Sequence, residues 1–169
     1  MTISHAKPES NRLRPTCAAD EALLFELFAA AKRAELALFG VPPAQAEMLV
    51  AMQYRGREMT YRSQYPDAED SVILDENGAP VGRLLVDRAA DRWRIVDFSV
   101  LPVRRGKGLG TAALRDCLSR CEECGASLEL VVSPVNRARA LYERLGFRAT
   151  SEDAFMIQMA WGADLQARN

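Results

Sequence analysis

Histidine is almost missing from this chain: His5 is the single one, and it stands in the polar N-terminal stretch. Without a nearby imidazole, the C-x-x-C pair Cys121 and Cys124 has no obvious fourth ligand for a zinc site. Cysteine is sparse as well, and Cys17, Cys117, Cys121 and Cys124 do not resemble a secreted disulfide framework. A basic excess is absent: 22 Lys and Arg face 23 Asp and Glu, which argues against nucleic acid as the main partner. No apolar run approaches the roughly 18 to 20 residues that span a bilayer, and the first residues lack the hydrophobic core of a signal peptide. A soluble, cytoplasmic protein with no membrane partner and no metal is therefore expected. Internal repeats and low-complexity linkers are absent too. With 169 residues, 49% of them hydrophobic, the chain can bury a sizeable core in one domain over residues 11–169, behind a tail at 1–10 expected to be disordered.

What is present is concentrated past mid-chain. Residues Val100 to Gly110 read V-L-P-V-R-R-G-K-G-L-G and run into T-A-A-L-R-D-C-L, so a hydrophobic strand ends in a glycine-rich turn that opens a helix. Glycines let a backbone approach a ligand closely, and a helix N-terminus adds unpaired N–H groups and positive potential, so the layout is suited to a phosphate-bearing cofactor. A dinucleotide fingerprint needs a third glycine where Thr111 stands, and the G-x-x-x-x-G-K-[ST] loop of mononucleotide sites is absent. Arg104, Arg105 and Lys107 are expected to face the phosphates.

After the β-like run S-L-E-L-V-V comes N-R-A-R-A-L-Y-E-R-L-G-F, from Asn136 to Phe147. Asn136 suits a helix N-cap, Ala138, Leu141, Tyr142 and Leu145 share one face, and Gly146 suits the left-handed residue after the last turn. A short helix with one buried face is predicted. In the helix after the glycine loop, Leu114, Cys117, Leu118 and Cys121 have the same spacing, which reads as packing on a sheet rather than metal or redox chemistry.

The rest of the chain supplies a mixed architecture. A first strand is predicted around N-R-L-R-P-T, then a helix capped by Asp20 and running to about Phe39, with Leu23, Leu27, Ala30, Ala34 and Leu38 on its inner face. Gly40 and Pro42 stop it, and a second helix is predicted from about Pro43 to Gln64. Strands follow at Ser71 to Asp75, Pro80 to Asp87 and Arg92 to Val100, the first two joined by the turn Asn77–Gly78. Beyond the loop and its helix, strands are predicted over Leu128 to Ser133, Phe147 to Thr150 and Ala154 to Trp161. The fold class is α/β of the mixed α+β kind: a central, mostly antiparallel sheet of about six to seven strands flanked by helices.

The stretch from Val100 to Gly110, with R-x-x-G-x-G at Arg105, Gly108 and Gly110, resembles the acyl-CoA pyrophosphate loop of the GCN5-related N-acetyltransferases (GNAT). Asn136, Ala140, Leu141, Tyr142, Gly146 and Phe147 resemble that family's second signature. The resemblance implies a fold in which two parallel strands, here Arg92 to Val100 and Leu128 to Ser133, splay apart to admit pantetheine. It implies acetyl-CoA as the acyl donor, held by Val100, Arg105, Gly106, Lys107, Gly108, Leu109, Gly110, Thr111 and Asn136, and acetyl transfer to a primary amine.

Transfer needs a neutral amine and a proton donor for the departing thiolate. Tyr142 is the candidate acid, and its alternative reading is a core tyrosine. Asp97 and Glu129 are the candidate bases, with sheet hydrogen bonding and a solvent-facing strand position as their respective alternatives, and Ser99 is a further candidate for ordering a water. The acceptor pocket is expected between Glu35 to Tyr65 and Ser151 to Phe155. There Gln53, Tyr54, Tyr61 and Tyr65 offer either a wall or packing, and Glu35, Glu58, Glu69 and Asp70 are read as solvated charges that can attract a cationic amine. A small-molecule or amino-acid acceptor is favoured, and a homodimer is compatible with the fold. The rival reading is a non-catalytic acyl-CoA sensor.

Overall fold

The computed structural model describes residues 12–162, so the tail expected at 1–10, with His5, lies outside the described residues. Among the described residues seven strands form one sheet in the order β1-β2-β3-β4-β5-β7-β6. They are β1 (Leu13–Pro15), β2 (Glu69–Leu74), β3 (Pro80–Ala89), β4 (Arg92–Val100), β5 (Ser127–Val132), β6 (Arg148–Glu152) and β7 (Ile157–Trp161). Every neighbouring pair is antiparallel except β4 with β5. That one parallel pair needs a crossover, and the glycine loop and its helix provide it. The mixed, mostly antiparallel sheet is the expected one.

The α-helices of the described residues are α1 (Glu21–Leu38), α2 (Pro43–Gln64), α3 (Leu109–Glu123) and α4 (Arg139–Arg144). Helices α3 and α4 cover the larger core, where Leu114, Cys117, Leu118 and Cys121 meet Ile95, Leu128, Leu130 and Met159. All four of those α3 residues are buried, as their spacing predicts. The Cys121 thiol donates to the Ala126 carbonyl, and burial pushes the thiols of Cys117 and Cys121 up to about 12 and about 11. Both are therefore packed, protonated side chains rather than ligands or nucleophiles.

Helices α1 and α2 form a smaller core around Leu24, Leu27 and Tyr54. The predicted inner face of α1 holds in its first half, where Leu23 and Leu27 pack in this core, and fails toward its end, where Ala34 and Leu38 are exposed. Leu24, Leu27 and Ala29 are buried, whereas Leu38 is 88% exposed, since a helical period marks a face but not how far along it a packing partner extends. Asp20 does not cap α1 with its side chain either. Its carboxylate accepts the Cys17 N–H at 2.9 Å and both terminal nitrogens of Arg14 at 2.7 and 2.8 Å, which ties β1 to the helix entrance. The Asn77–Gly78 turn is present, with Gly78 at φ 78° and the Asp75 carboxylate accepting the N–H groups of Asn77 and Ala79. Among the described residues no helix is long and apolar enough to cross a membrane.

Candidate active site at the parting of two strands

The pairing of β4 with β5 runs from Arg92↔Ser127 to Ile95↔Leu130 and goes no further, although β4 continues to Val100. The cause lies on the other edge of β4. There Leu85 pairs with Asp97 and Val86 with Ile95, so Val96 is an extra residue in β4. A bulge of this kind bends a strand and increases its twist. It sits where the two parallel strands part, so the backbone of β4 beyond Ile95 has no strand partner on the β5 side.

The glycine loop closes the open end of this cleft. Gly106 and Gly108 adopt φ of 75° and 76°, and an added Cβ at either would meet nothing within 4 Å. Gly108 is the N-cap of α3, and the first bond across the cap is from Ala112 N–H to the Gly108 carbonyl at 2.9 Å. The N–H groups of Leu109, Gly110 and Thr111 therefore lack intrahelical partners, as the first turn of a helix requires. Gly110 acts differently: a Cβ there would come within 2.9 Å of Phe98 Cζ, so its hydrogen lets α3 lie on β4.

The basic residues divide their roles. Arg105 Nε donates to the Val100 carbonyl at 2.9 Å, which fastens the loop to the end of β4 and takes up that carbonyl. Arg105 and Lys107 are otherwise exposed beside the free N–H groups. Arg104 departs from expectation, since it turns away to the buried Asp75, with Nη1 3.5 Å from Oδ2. A loop of open left-handed glycines, unpaired N–H groups and two exposed cations fits a pyrophosphate, and the strand parting beside it fits the arm that follows.

Tyr142 lies on α4 and is 5% exposed. Its ring packs on Phe98 and Phe147, with centroids 6.3 and 5.6 Å away. Burial, reinforced by the charge of Asp97, raises its pKa well above the usual phenol value. The hydroxyl is thus a proton carrier throughout the neutral range. Asn136 is not the cap of α4, which starts at Arg139; its Oδ1 accepts the Ala138 N–H at 2.9 Å in the exposed approach to the helix. Gly146 has the expected positive φ of 94°.

The two candidate bases stand in different surroundings. Glu129 faces Arg92 and Arg94 at 3.4 and 3.6 Å, at the end of β5 that is still paired with β4. Asp97 stands just past the bulge, and its Oδ2 is 3.5 Å from Arg83 Nη1 and 3.6 Å from Arg57 Nη1. Burial raises its pKa above the aspartate value, against the pull of those two arginines.

Arg83 went unread in the sequence, although the signal was there: one arginine inside the apolar strand V-G-R-L-L-V. It is 3% exposed and holds Glu58 and Asp70 in two-pronged hydrogen bonds of 2.7 to 3.0 Å. Glu58 and Asp70 are therefore not solvated charges; Glu58 is 8% exposed and Asp70 is half-buried. Of the expected acceptor wall, Tyr54 is core between Phe25 and Phe28, while the Tyr61 ring lies under the guanidinium groups of Arg57 and Arg83.

Residues 39–147 match the family model described as the acetyltransferase (GNAT) family. No curated protein matches the sequence. Among solved structures, the chain is similar to the PaiA N-acetyltransferase of Thermoplasma acidophilum in complex with coenzyme A, at 16% identity over 89% of this chain and 98% of that one, with a TM-score of 0.67. It is similar also to the histone acetyltransferase HPA2 and related acetyltransferase of Corynebacterium glutamicum, at 21% identity over 89% and 94% of the two chains and a TM-score of 0.63. A GNAT family acetyltransferase of Elizabethkingia anophelis with acetyl-CoA bound matches 60% of this chain and 80% of its own, at 17% identity and a TM-score of 0.52. At these identities the likeness is one of fold.

Proposed function

The chain belongs to the acetyltransferase (GNAT) family, and on that premise we propose that it moves an acetyl group from acetyl-CoA directly to the primary amine of a small molecule or amino acid. The observation that carries this reading is the coincidence of three features at one point. The β4–β5 ladder ends after Ile95↔Leu130, the open glycine loop meets that gap, and Asp97 and Tyr142 belong to the elements beside it. One domain over the described residues carries the whole activity in this reading.

When bound, acetyl-CoA supplies the activated acetyl thioester. The N–H groups of Leu109, Gly110 and Thr111, with Lys107 and the outer nitrogens of Arg105, would hold its pyrophosphate. Gly106 and Gly108 keep that surface free of side chains. Asn136 lies outside α4 and orders the turn that leads to Tyr142 through its bond to Ala138. Tyr142, kept protonated by its burial, can give its proton to the departing sulfur.

An ammonium has no lone pair, so a base must take a proton before the amine attacks. Asp97 suits this task better than Glu129. Its raised proton affinity brings it closer to that of a working base, whereas Glu129 is engaged by Arg92 and Arg94 at the closed end of the strand pair.

The test is calorimetric titration of the purified protein with acetyl-CoA, CoA and an adenine nucleotide lacking pantetheine, followed by an amine panel with thiol-release detection. Binding that requires pantetheine, with turnover on an amine, is expected. Acetyl-CoA binding with no turnover on any amine would favour a sensor, and no binding to the folded protein would end the acetyltransferase reading.

A further inference from the structure

Five charged side chains from four elements meet beside the Tyr61 ring: Arg57 and Glu58 of α2, Asp70 of β2, Arg83 of β3 and Asp97 of β4. Three carboxylates share two guanidinium groups. Arg83 has five N–H bonds to give, one at Nε and two at each terminal nitrogen. Nε and Nη2 reach the two oxygens of Asp70 at 2.9 and 2.8 Å, and Nη1 and Nη2 reach those of Glu58 at 2.7 and 3.0 Å. The fifth, on Nη1, points to Asp97 Oδ2 at 3.5 Å. Every donor is committed, and Asp97 receives the longest contact.

We infer that Arg83 is a positioning residue for Asp97, holding that carboxylate beside the strand parting while Glu58 and Asp70 take up most of its charge, so that Asp97 remains a proton acceptor. A single arginine facing Asp97 alone would form a close, charge-assisted pair and lower its proton affinity. Dividing the arginine among three carboxylates avoids that outcome without leaving Asp97 loose. Arg57 adds to the arrangement: its Nη2 bonds Glu58 at 3.1 Å, its Nη1 stands 3.6 Å from Asp97, and its plane lies over the Phe28 ring. The two arginines and the other two carboxylates thereby cancel around Asp97, whose own charge is the unmatched one, a setting that favours either a proton or the ammonium of an incoming amine.

The inference rests on Asp97 being the base, but its test needs no acceptor and no turnover. The groups acting on Asp97 are Arg57, Glu58 and Tyr61 from α2, Asp70 from β2, Arg83 from β3 and Tyr142 from α4. The whole chain, labelled with carbon-13 at its aspartate carboxyl carbons, is titrated by NMR, and the Asp97 signal is assigned by its loss in Asp97→Asn. In the wild-type protein its midpoint should lie above the ordinary aspartate value. Asp70→Asn removes a half-buried negative charge that raises the proton affinity of Asp97, so the Asp97 midpoint should fall by roughly one pH unit.

Glu58→Gln should move it the same way, but both variants also remove a charge that acts on Asp97 directly, so the role of Arg83 is decided by Arg83→Lys or, if that variant fails to fold, by Asp70→Glu, which keep every charge and alter only the fork. A purely structural role for Arg83 predicts a lower melting temperature in these variants with the Asp97 midpoint unmoved, and that result overturns the inference. An unmoved midpoint in a protein that binds acetyl-CoA removes the role of Arg83 alone. Failure to bind acetyl-CoA removes the proposed reaction and leaves the titration readable.

Discussion

Two residues at the cleft illustrate how much rests on single atoms. Tyr142 differs from phenylalanine by one hydroxyl, and its ring packing on Phe98 and Phe147 does not depend on that oxygen. Tyr142→Phe should therefore fold normally and bind acetyl-CoA as before, while amine acetylation falls by roughly 10²-fold, the lower end for loss of a general acid. Rapid-quench measurement of the acetylated product against acetyl-CoA affinity separates the two, and wild-type turnover would take Tyr142 out of the acid role. Gly110 tests packing instead. A methyl group 2.9 Å from Phe98 Cζ cannot be accommodated without moving a ring that itself touches Tyr142. Gly110→Ala should cost about 1 to 3 kcal/mol in chemical denaturation, the usual range for an overfilled contact.

At the scale of elements, α3 couples the loop to the sheet, and the proposed anion site depends on the glycine that caps it. Gly108 has φ of 76° with open space where a Cβ would go, so Gly108→Ala is a test of backbone conformation and not of crowding. The left-handed conformation should cost about 1 to 2 kcal/mol, and acetyl-CoA affinity measured by calorimetry should drop as the N–H groups rotate away. If affinity is unchanged while stability falls, the loop is not the pyrophosphate site. The loop, α3 and α4 were legible in the sequence because glycine spacing and the repeat of Leu114, Cys117, Leu118 and Cys121 are local signals. The inner face of α1 was legible only at Leu23 and Leu27, because Leu38 fits the helical period equally well and the period does not say where the packing partner ends. The bulge at Val96 has no local signature either, since it is defined by which residue of β3 stands opposite. Charge misled in the same way: Glu58 and Asp70 look like surface acids until β3 brings Arg83 between them.

The whole molecule is asymmetric across its sheet, with an apolar core under α3 and α4 and a small core plus a buried ionic cluster under α1 and α2. That second side should pay for function in stability, because buried charge is costly unless fully matched and here three carboxylates face two arginines. Asp97 carries the mismatch. Its folded pKa is raised by burial, so folding favours its protonated form. The stability linked to that proton is fully present below the unfolded value and is lost as pH rises through the folded pKa. At neutral pH the ionised Asp97 is thus a net burden on the fold. Asp97→Asn, which imitates the uncharged form, should melt at a higher temperature than the wild-type protein at neutral pH, and the difference should close as pH falls through the Asp97 titration. The same variant should lose acetyl transfer if Asp97 is the base. Glu58→Gln sets the opposite sign: the Arg83 pairing holds the Glu58 carboxyl below its ordinary pKa, and breaking a buried pair of this kind costs about 3 kcal/mol, so this variant should melt lower at neutral pH. Differential scanning calorimetry of both variants across pH decides the matter, because a cluster that serves stability alone would destabilise on losing either carboxylate.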